Sequence, residues 1–267
     1  MKIRNRTVVS ARPSILLLLN IWLRLSRWFG LKERIPGNEK LSVVLLSYKR
    51  PQNMRYIVDS LLACEFVQEI VLSNNNPQVR MENFLHSRDP RLKIINQCQR
   101  FFPTKRYDLA RKLQSRYFMS IDDDVFLLPG QIKKLFMALL ENPSVPHGTR
   151  GENFVVKDGK VVSCKSVGRK KMEVDVLIWL YAFTREHLRE YFSLLDHMKI
   201  SQDDVKFSDD VILSFSGKGR PRCVNLGPIL CCPSSRDKNI AVYRQEGFHE
   251  QRYKAFLQCR QATGKKK

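Results

Sequence analysis

The sequence predicts an α/β domain built on a mostly parallel sheet with helices on both faces. Short apolar runs that suit buried strands alternate with longer stretches in which apolar residues recur at helical spacing. The chain has 267 residues, of which 43% are hydrophobic, and this is enough to build a sizeable core. Its 12 glycines and 12 prolines are an ordinary globular content, which excludes a disordered or fibrous protein.

The first half of the chain predicts four strands. Residues 42–47 form a continuous apolar run, which is typical of a strand buried on both faces. Further strands are expected at 69–73, 92–95 and 117–121. Between the first two, a helix is expected to begin near Pro51, because apolar residues follow it at helical spacing. The resulting order is βαβαβ.

The second half predicts two helices and a hairpin. One helix follows Pro129-Gly130, and another covers 186–195. Residues 153–162 are typical of a hairpin that turns at Asp158-Gly159, and 174–183 of a strand. We therefore expect a basic N-terminal segment over 1–36, a single α/β domain over 37–260 and a basic tail over 261–267.

The N-terminal segment differs from the rest of the chain. Lys2, Arg4, Arg6 and Arg12 precede an apolar run over 15–19, and later apolar residues alternate with arginines. Spanning a bilayer takes about 20 apolar residues, so a basic amphipathic helix at an anionic membrane surface fits better. Two alternatives stay open: a short signal-anchor, and a terminal helix docked on the domain. A cleaved signal peptide needs a small-residue site, which the sequence lacks here.

Charge and cysteine content restrict the partners. Lys and Arg number 47 against 26 Asp and Glu, which gives a net charge of +21. Such a field favours nucleic acid, lipid headgroups or phosphorylated small molecules. Seven cysteines without a C-x-x-C pair predict neither a zinc site nor a full set of disulfides, and we expect most thiols to be reduced and buried.

Three consecutive carboxylates, Asp122-Asp123-Asp124, follow the strand at 117–121. Ligands of open α/β sheets bind at the carboxyl ends of strands, so these side chains are expected in the binding crevice. Their mutual repulsion would raise at least one pKa, and a divalent cation would remove this penalty. Oxygen ligands suit Mg²⁺ or Mn²⁺. The alternative is a solvated acidic loop, or Asp124 as a helix cap.

A second acidic pair, Asp209-Asp210, stands at the start of a predicted helix. A carboxylate opposite a metal-bound phosphate would orient an acceptor hydroxyl or stabilise a developing cation. Capping of the helix explains one of the two residues equally well.

Asparagines and basic residues complete the candidate site. Asn74 and Asn75 follow the second strand, where they would contact a nucleotide or form an ordinary turn before Pro77. Several basic residues near strand ends or the acidic sites could pair with a diphosphate. They are Lys49, Arg50, Lys105, Arg106, Arg111, Arg244, His249 and Arg252.

Together these segments resemble the exostosin-like glycosyltransferases of glycosyltransferase family 64, which have a GT-A fold. Their order and spacing match from about residue 41 to 257. The segments are VVLLSYKRPQNMRYIV (43–58), EIVLSNNNP (69–77), YFMSIDDDVFLL (117–128), SDDVILSF (208–215) and GFHEQRYKAF (247–256). The resemblance implies a Rossmann-like, nucleotide-binding mixed sheet flanked by helices.

The resemblance also implies a role for each site residue. The catalytic carboxylate is Asp210, with Asp209 beside it, and the metal, Mn²⁺ or Mg²⁺, is held by Asp124 and Asp122. The expected contacts with the nucleotide-sugar are Ser47, Arg50, Asn74, Asn75, Arg106, Asp122, Asp123, His249 and Arg252. The sequence departs from the family at Asp209, where Glu is usual, and at Ser73, where an aromatic residue is common.

The implied reaction moves a sugar from a nucleotide-sugar, usually a UDP-sugar, to a glycan or glycolipid acceptor with retention of configuration. The N-terminal segment predicts a membrane-associated enzyme, held by an interfacial anchor on the cytoplasmic face or, in a eukaryote, by a Golgi or ER signal-anchor. No nucleic-acid partner is expected. A GT-A transferase of another family is an alternative. Two further alternatives are weaker: a nucleotidyltransferase needs a Gly-rich triphosphate loop that the sequence lacks, and a nucleic-acid binder leaves Asp122–Asp124 without a role.

Overall fold

The computed structural model describes residues 8–10, 12–168, 170–237 and 241–264. The basic residues Lys2, Arg4 and Arg6 and the three terminal lysines of the predicted tail lie outside these ranges. The helices are α1 (Pro13–Trp28), α2 (Met54–Leu62), α3 (Lys105–Arg111), α4 (Pro129–Glu141), α5 (Arg185–Met198), α6 (Gln202–Val205), α7 (Asp209–Phe215) and α8 (Phe248–Thr263).

The strands are shorter and more numerous than the helices. They are β1 (Val8–Ser10), β2 (Leu41–Ser47), β3 (Val67–Asn74), β4 (Leu92–Asn96), β5 (Tyr117–Ile121), β6 (Val125–Phe126), β7 (His147–Gly148), β8 (Arg150–Lys157), β9 (Lys160–Gly168), β10 (Met172–Glu173), β11 (Val176–Ile178), β12 (Leu180–Thr184), β13 (Arg222–Cys223) and β14 (Ile229–Cys231).

The central sheet has eight strands in the order β10-β13-β7-β12-β5-β2-β3-β4. The strands β5, β2, β3 and β4 run parallel, as the βαβαβ pattern predicts. The second helix of that pattern is absent from the described residues, because β3 and β4 are joined by a loop with a single 3₁₀ turn at Met81–Asn83. The other half is mixed, because β12 pairs antiparallel with both β5 and β7. Two three-stranded sheets flank it, in the orders β1-β14-β6 and β11-β8-β9. The mixed α/β architecture with helices around one sheet is thus confirmed.

The strand β2 shows why both faces of the sheet carry helices. Val43 and Leu45 pack in one hydrophobic cluster with residues of α2 and α4, whereas Val44 packs in a second cluster with residues of α5 and α7. All three side chains are fully buried. A strand buried on both faces needs apolar side chains at consecutive positions, which is what the run at 42–47 provides.

Two elements differ from the sequence prediction. The expected strand over 174–183 is split into β11 and β12, because Trp179 adopts a positive φ of 80° that a strand cannot accommodate. The helix α8 has no clear apolar stripe in its sequence, and it instead buries Arg252 together with Phe256 and Cys259. Periodicity of apolar residues therefore does not reveal it.

The cysteines are all free thiols, and four of the seven are buried, in agreement with the expected reduced core.

The helix α1 packs against α2. Within the described ranges, no helix combines the length and the apolar character needed to cross a membrane.

Candidate functional site

Parallel strands bring the predicted site residues to one edge of the central sheet. Ser47 ends β2, Asn75 follows β3, and Asp122 follows β5, and the three strands run in the same direction. A cleft of about 590 Å³ opens at this edge. With the exception of Asn74, every residue to which the resemblance assigns a role lines this cleft.

The three consecutive aspartates are each matched by an arginine. Arg50 donates a hydrogen bond of 2.6 Å to Asp123 and lies 3.5 Å from a carboxylate oxygen of Asp124. Arg106 donates a 3.0 Å hydrogen bond to Asp122. Both arginines are almost buried, with 10% and 7% of their side chains exposed. The two guanidinium groups hold the acidic cluster at the cleft and leave it accessible, since 31% of the Asp122 side chain is exposed.

The second acidic pair begins α7 and is buried among charged partners. Arg252 of α8 donates a hydrogen bond to Asp210 and a second one, of 2.8 Å, to Glu152 of β8. Asp209 forms an ion pair with Arg106 at 3.4 Å. Because Arg106 also binds Asp122, one guanidinium joins the two acidic groups that the sequence places 87 residues apart.

Several carboxylates of the site are held in an environment that disfavours their charge. Burial raises the pKa of Asp210 to about 7, although Arg252 acts in the opposite direction. Burial and the charge of Asp122 raise the pKa of Asp124 to about 7. Burial also raises the pKa of Asp122 and of Asp209. Such shifts in a cleft are typical of functional groups.

The hydroxyl oxygen of Ser47 is buried in the cleft and lacks a hydrogen-bond partner among the described residues. Buried polar groups are normally satisfied, because an unpaired one costs about 1–3 kcal/mol. This atom therefore indicates that a bound molecule completes the site.

The two asparagines after β3 have different surroundings. The amide of Asn75 lines the cleft, held by a 2.8 Å hydrogen bond from Ser73. The amide of Asn74 points away from it and donates to Val79 at 2.7 Å and to Asn96 at 2.9 Å. The nucleotide contact predicted for Asn74 is therefore corrected: this residue shapes the turn, which was the alternative interpretation.

The C-terminal pair of site residues comes from α8. His249 and Arg252 both line the cleft, and His249 is exposed whereas Arg252 is only 3% exposed. Of the other basic candidates, Arg111 stacks on Phe192 and Lys105 on Phe101, and neither lines the cleft. Arg244 is exposed beside Tyr243.

Comparison with known proteins identifies the family. The model of glycosyl transferase family 2 matches residues 42–191, which is more than half of the chain. The matched part includes the four parallel strands and the three aspartates that follow β5. The chain belongs to this family. The finer resemblance to the exostosin-like enzymes stays a prediction. No curated protein matches the sequence.

Solved structures show the fold of this family 2 protein to be of the GT-A type. GalNAc-T7 with UDP, GalNAc and Mn²⁺ is 11% identical, with a TM-score of 0.56 over 85% of this chain and 48% of that one. The CMP:2-keto-3-deoxy-manno-octonic acid synthetase complexed with CTP is 14% identical, with a TM-score of 0.50 over 78% of this chain and 100% of that one. The present chain thus spans about half the length of the GalNAc-T7 chain.

The acidic groups of the family 2 protein fit a divalent cation that takes part of its coordination from a ligand. Within the described ranges, no group of three His, Cys, Asp or Glu side chains is arranged to hold a metal by itself. Magnesium-type sites commonly use one or two carboxylates and complete the shell with substrate phosphates. Asp122 and Asp124 are such carboxylates: both line the cleft, with 31% and 20% of their side chains exposed, so a cation and its ligand can reach both.

Sequence patterns missed several side chains that line the cleft of this glycosyltransferase. The most informative are Glu152, which accepts from Arg252, and Trp179, whose ring lies 4.2 Å from the Arg150 guanidinium. The backbone carbonyl of Trp179 also accepts a 3.0 Å hydrogen bond from the amide of Asp122. No local pattern marks these residues, because a hairpin and a break in a strand bring them to the site.

Proposed function

We propose that this family 2 protein is a metal-dependent glycosyltransferase that moves a sugar from a UDP-sugar to a glycan or glycolipid acceptor. The observation that carries the proposal is the arrangement around Arg106, which binds Asp122 at 3.0 Å and Asp209 at 3.4 Å in a single cleft. The Arg106 guanidinium thus places the acidic cluster that would hold a metal ion next to the buried carboxylates of α7, which would stabilise positive charge on a sugar carbon.

The donor is proposed to lie along the ends of β2, β3 and β5. Ser47 offers its unpartnered hydroxyl, and Asn75 offers an amide for the nucleoside. Arg50 lies between Asp123 and Asp124, where its positive charge would attract the diphosphate. His249 adds an exposed ring on the α8 side of the cleft.

Asp124 and Asp122 are proposed to hold Mn²⁺ or Mg²⁺. When bound, the cation would neutralise the diphosphate and make UDP a better leaving group. Burial of the two carboxylates favours this occupancy, because their negative charge is poorly solvated without a cation.

In the proposed reaction the bond between the anomeric carbon and the diphosphate oxygen breaks, and the acceptor oxygen bonds to that carbon on the same face. The acceptor proton passes to the leaving phosphate oxygen. Asp210 stabilises the positive charge that develops on the sugar ring, and Arg252 fixes its position. Retention of configuration is proposed from the resemblance to the exostosin-like enzymes. Proton NMR of the product, which reports the anomeric configuration, tests it. An inverted product would make Asp210 the base that accepts the acceptor proton.

The acceptor is proposed to bind on the side of the cleft formed by β8 and β11. Trp179 offers a broad ring on which a sugar would stack, and Arg150 covers one face of that ring. Glu152 lies beside them and accepts from Arg252, so its carboxylate is fixed. The acceptor would therefore meet the donor sugar next to Asp210.

Nucleotidyl transfer and nucleic-acid binding have less support. Among the described residues that line the cleft there is no glycine, so a Gly-rich triphosphate loop is not part of it. The acidic groups would repel a nucleic-acid backbone.

The test is UDP release from a panel of UDP-sugars by the full-length protein with Mn²⁺. We expect at least one donor to be hydrolysed slowly without acceptor, and Asp210→Asn to slow that hydrolysis by at least about 10²-fold. Asp203→Asn, at an exposed position of α6, is the matched control and should leave the rate unchanged. Failure of every donor to release UDP, together with failure of UDP to bind, would overturn the proposal.

Membrane association belongs to the same proposal. The enzyme is proposed to work at a membrane surface, with α1 as the contact, because this helix combines apolar and basic residues.

A further inference from the structure

The outer face of α1 is apolar and faces away from the protein. Its exposed side chains are Leu17, Leu18, Ile21, Trp22, Leu25 and Trp28, with exposed fractions of 45–84%. Phe29 and Leu31 extend the patch beyond the end of the helix, at 75% and 69% exposure. Contiguous exposed apolar surface of this kind marks an interaction site. Tryptophan is enriched at membrane interfaces, where one end of its side chain lies in an apolar environment and the other contacts water.

The opposite face of α1 fixes the helix to the domain. Leu16 and Leu23 are buried in the core, and Asn20 donates a 2.6 Å hydrogen bond to Asp59 of α2. Arg24 and Arg27 both form ion pairs with the same carboxylate, at 3.0 and 2.9 Å. The helix is thus attached through a buried seam, and its apolar outer face is a fixed feature that an external partner would cover.

A basic cavity of about 510 Å³ adjoins the C-terminal end of this face. It is lined by four cations, Arg24, Arg27, Lys32 and Arg88, against two carboxylates, Asp59 and Asp89, which leaves a formal charge of +2. The carboxylates are already paired, because Arg27 and Arg91 bind Asp89 at 3.5 and 3.0 Å. Lys32 and Arg88 have no ion pair among the described residues.

We infer that this cavity binds the phosphate of an anionic phospholipid headgroup while the outer face of α1 lies in the membrane interface. Trp28 joins the two surfaces, because its ring belongs to the apolar outer face of α1 and also lines the cavity. A molecule in the cavity is therefore adjacent to the apolar patch, and a phospholipid offers both a phosphate and acyl chains. The inference rests on the proposed membrane association, and it adds a specific lipid site to it.

The other end of α1 lies near the cleft. β1 directly precedes α1 and pairs with β14 in the register Ser10 to Cys231, and Cys231 lines the cleft. The next residue, Cys232, donates its amide to the carbonyl of Asp124 at 2.8 Å. The N-terminal end of α1 therefore lies near the acidic cluster, so a membrane-bound acceptor would reach the cleft from the lipid surface.

The test is co-sedimentation of the full-length protein with phosphatidylcholine vesicles, with and without phosphatidylglycerol. The variant Lys32→Glu/Arg88→Glu should weaken binding to the anionic vesicles by about tenfold or more. The control Lys218→Glu/Lys254→Glu makes the same change of net charge at exposed positions of the chain and should weaken it much less. Trp28→Ser/Phe29→Ser should reduce binding to both kinds of vesicle.

The results distinguish a specific headgroup site from general membrane attraction. Equal losses of vesicle binding in the two charge variants would overturn the headgroup site and leave only general attraction of the basic protein to anionic lipid. Absence of wild-type binding to any vesicle would overturn membrane association as well. UDP release in detergent solution should stay at the wild-type rate in all these variants, so loss of lipid binding is distinguishable from failure of the proposed glycosyl transfer.

Discussion

Arg252 donates a hydrogen bond to the carboxylate of Asp210, from a position 42 residues further along the chain. The two side chains are 3% and 8% exposed. The other arm of the guanidinium is held by Glu152 at 2.8 Å. The C-terminal helix thus supplies the positive charge that keeps a buried carboxylate available in the cleft.

Removal of this charge should impair both stability and turnover. Arg252→Ala leaves Asp210 and Glu152 without their counter-ion, and breaking such a buried pair costs about 3–5 kcal/mol. We expect UDP release to fall by about 10²-fold in the folded fraction, measured beside a thermal unfolding curve. Arg252→Lys should recover part of the rate, since it keeps the charge and loses the two-armed geometry.

Lys254→Ala is the matched control, on an exposed position of the same helix. It should change neither the rate nor the melting temperature. Wild-type turnover by folded Arg252→Ala would show that the guanidinium has no part in positioning Asp210.

The raised pKa of Asp210 predicts a pH dependence. At donor concentrations well below KM, kcat/KM should rise about tenfold from pH 6 to pH 8, because the carboxylate of the free enzyme ionises near pH 7. Asp210→Asn should lose this rise. A wild-type rate that is constant over the same range would contradict the assignment.

Stability should follow the same ionisation with a definite sign. The pKa of Asp210 rises from 3.8 to about 7 on folding, so between these values the folded state retains a proton that the unfolded state has released. The free energy of unfolding therefore falls as pH rises through this window. Relative to the wild type, Asp210→Asn should gain stability from pH 4 to pH 8, as measured by urea unfolding.

The two adjacent asparagines should respond differently to substitution. Asn74→Ala removes buried hydrogen bonds to Val79 and Asn96 and should lower the free energy of unfolding by about 1–3 kcal/mol. Its folded fraction should bind UDP normally. Asn75→Ala should weaken UDP binding about tenfold, and calorimetric titration separates the two effects. Equal weakening of UDP binding in both would restore Asn74 to the site.

Trp179 offers a separation of acceptor binding from donor binding. Its ring packs against the hydrophobic core, so truncating it should lower the melting temperature. Its positive φ of 80° is costly for a residue with a Cβ and natural for glycine, so Trp179→Gly should lose less stability than Trp179→Ala, and both should leave UDP binding unchanged. Once an acceptor is identified, its KM should rise about tenfold or more. An unchanged acceptor KM would exclude the ring from acceptor binding.

Much of the fold follows from local patterns in the sequence. The apolar runs of β2, β3 and β5 predict their own burial, and the parallel arrangement then brings Ser47, Asn75 and Asp122 to one edge. The charge of His249 and Arg252 marks them as candidates, but the helix α8 that carries them has no clear apolar stripe in its sequence, so only the resemblance gives them a defined role. Glu152 and Trp179 were not found, since their positions depend on long-range packing of a hairpin and on a strained backbone.

The three aspartates are proposed to bind a metal–nucleotide complex. Thermal stabilisation of the full-length chain by UDP, with and without Mn²⁺, tests this binding without any acceptor, with Asp124→Ala as the comparison. We expect a shift of several degrees that requires both ligands and disappears in the variant. The full chain is used because α1 contributes Leu16 and Leu23 to the packed interior. No shift with UDP or any other nucleotide diphosphate, or an equal shift in Asp124→Ala, would show that the aspartates do not bind such a complex.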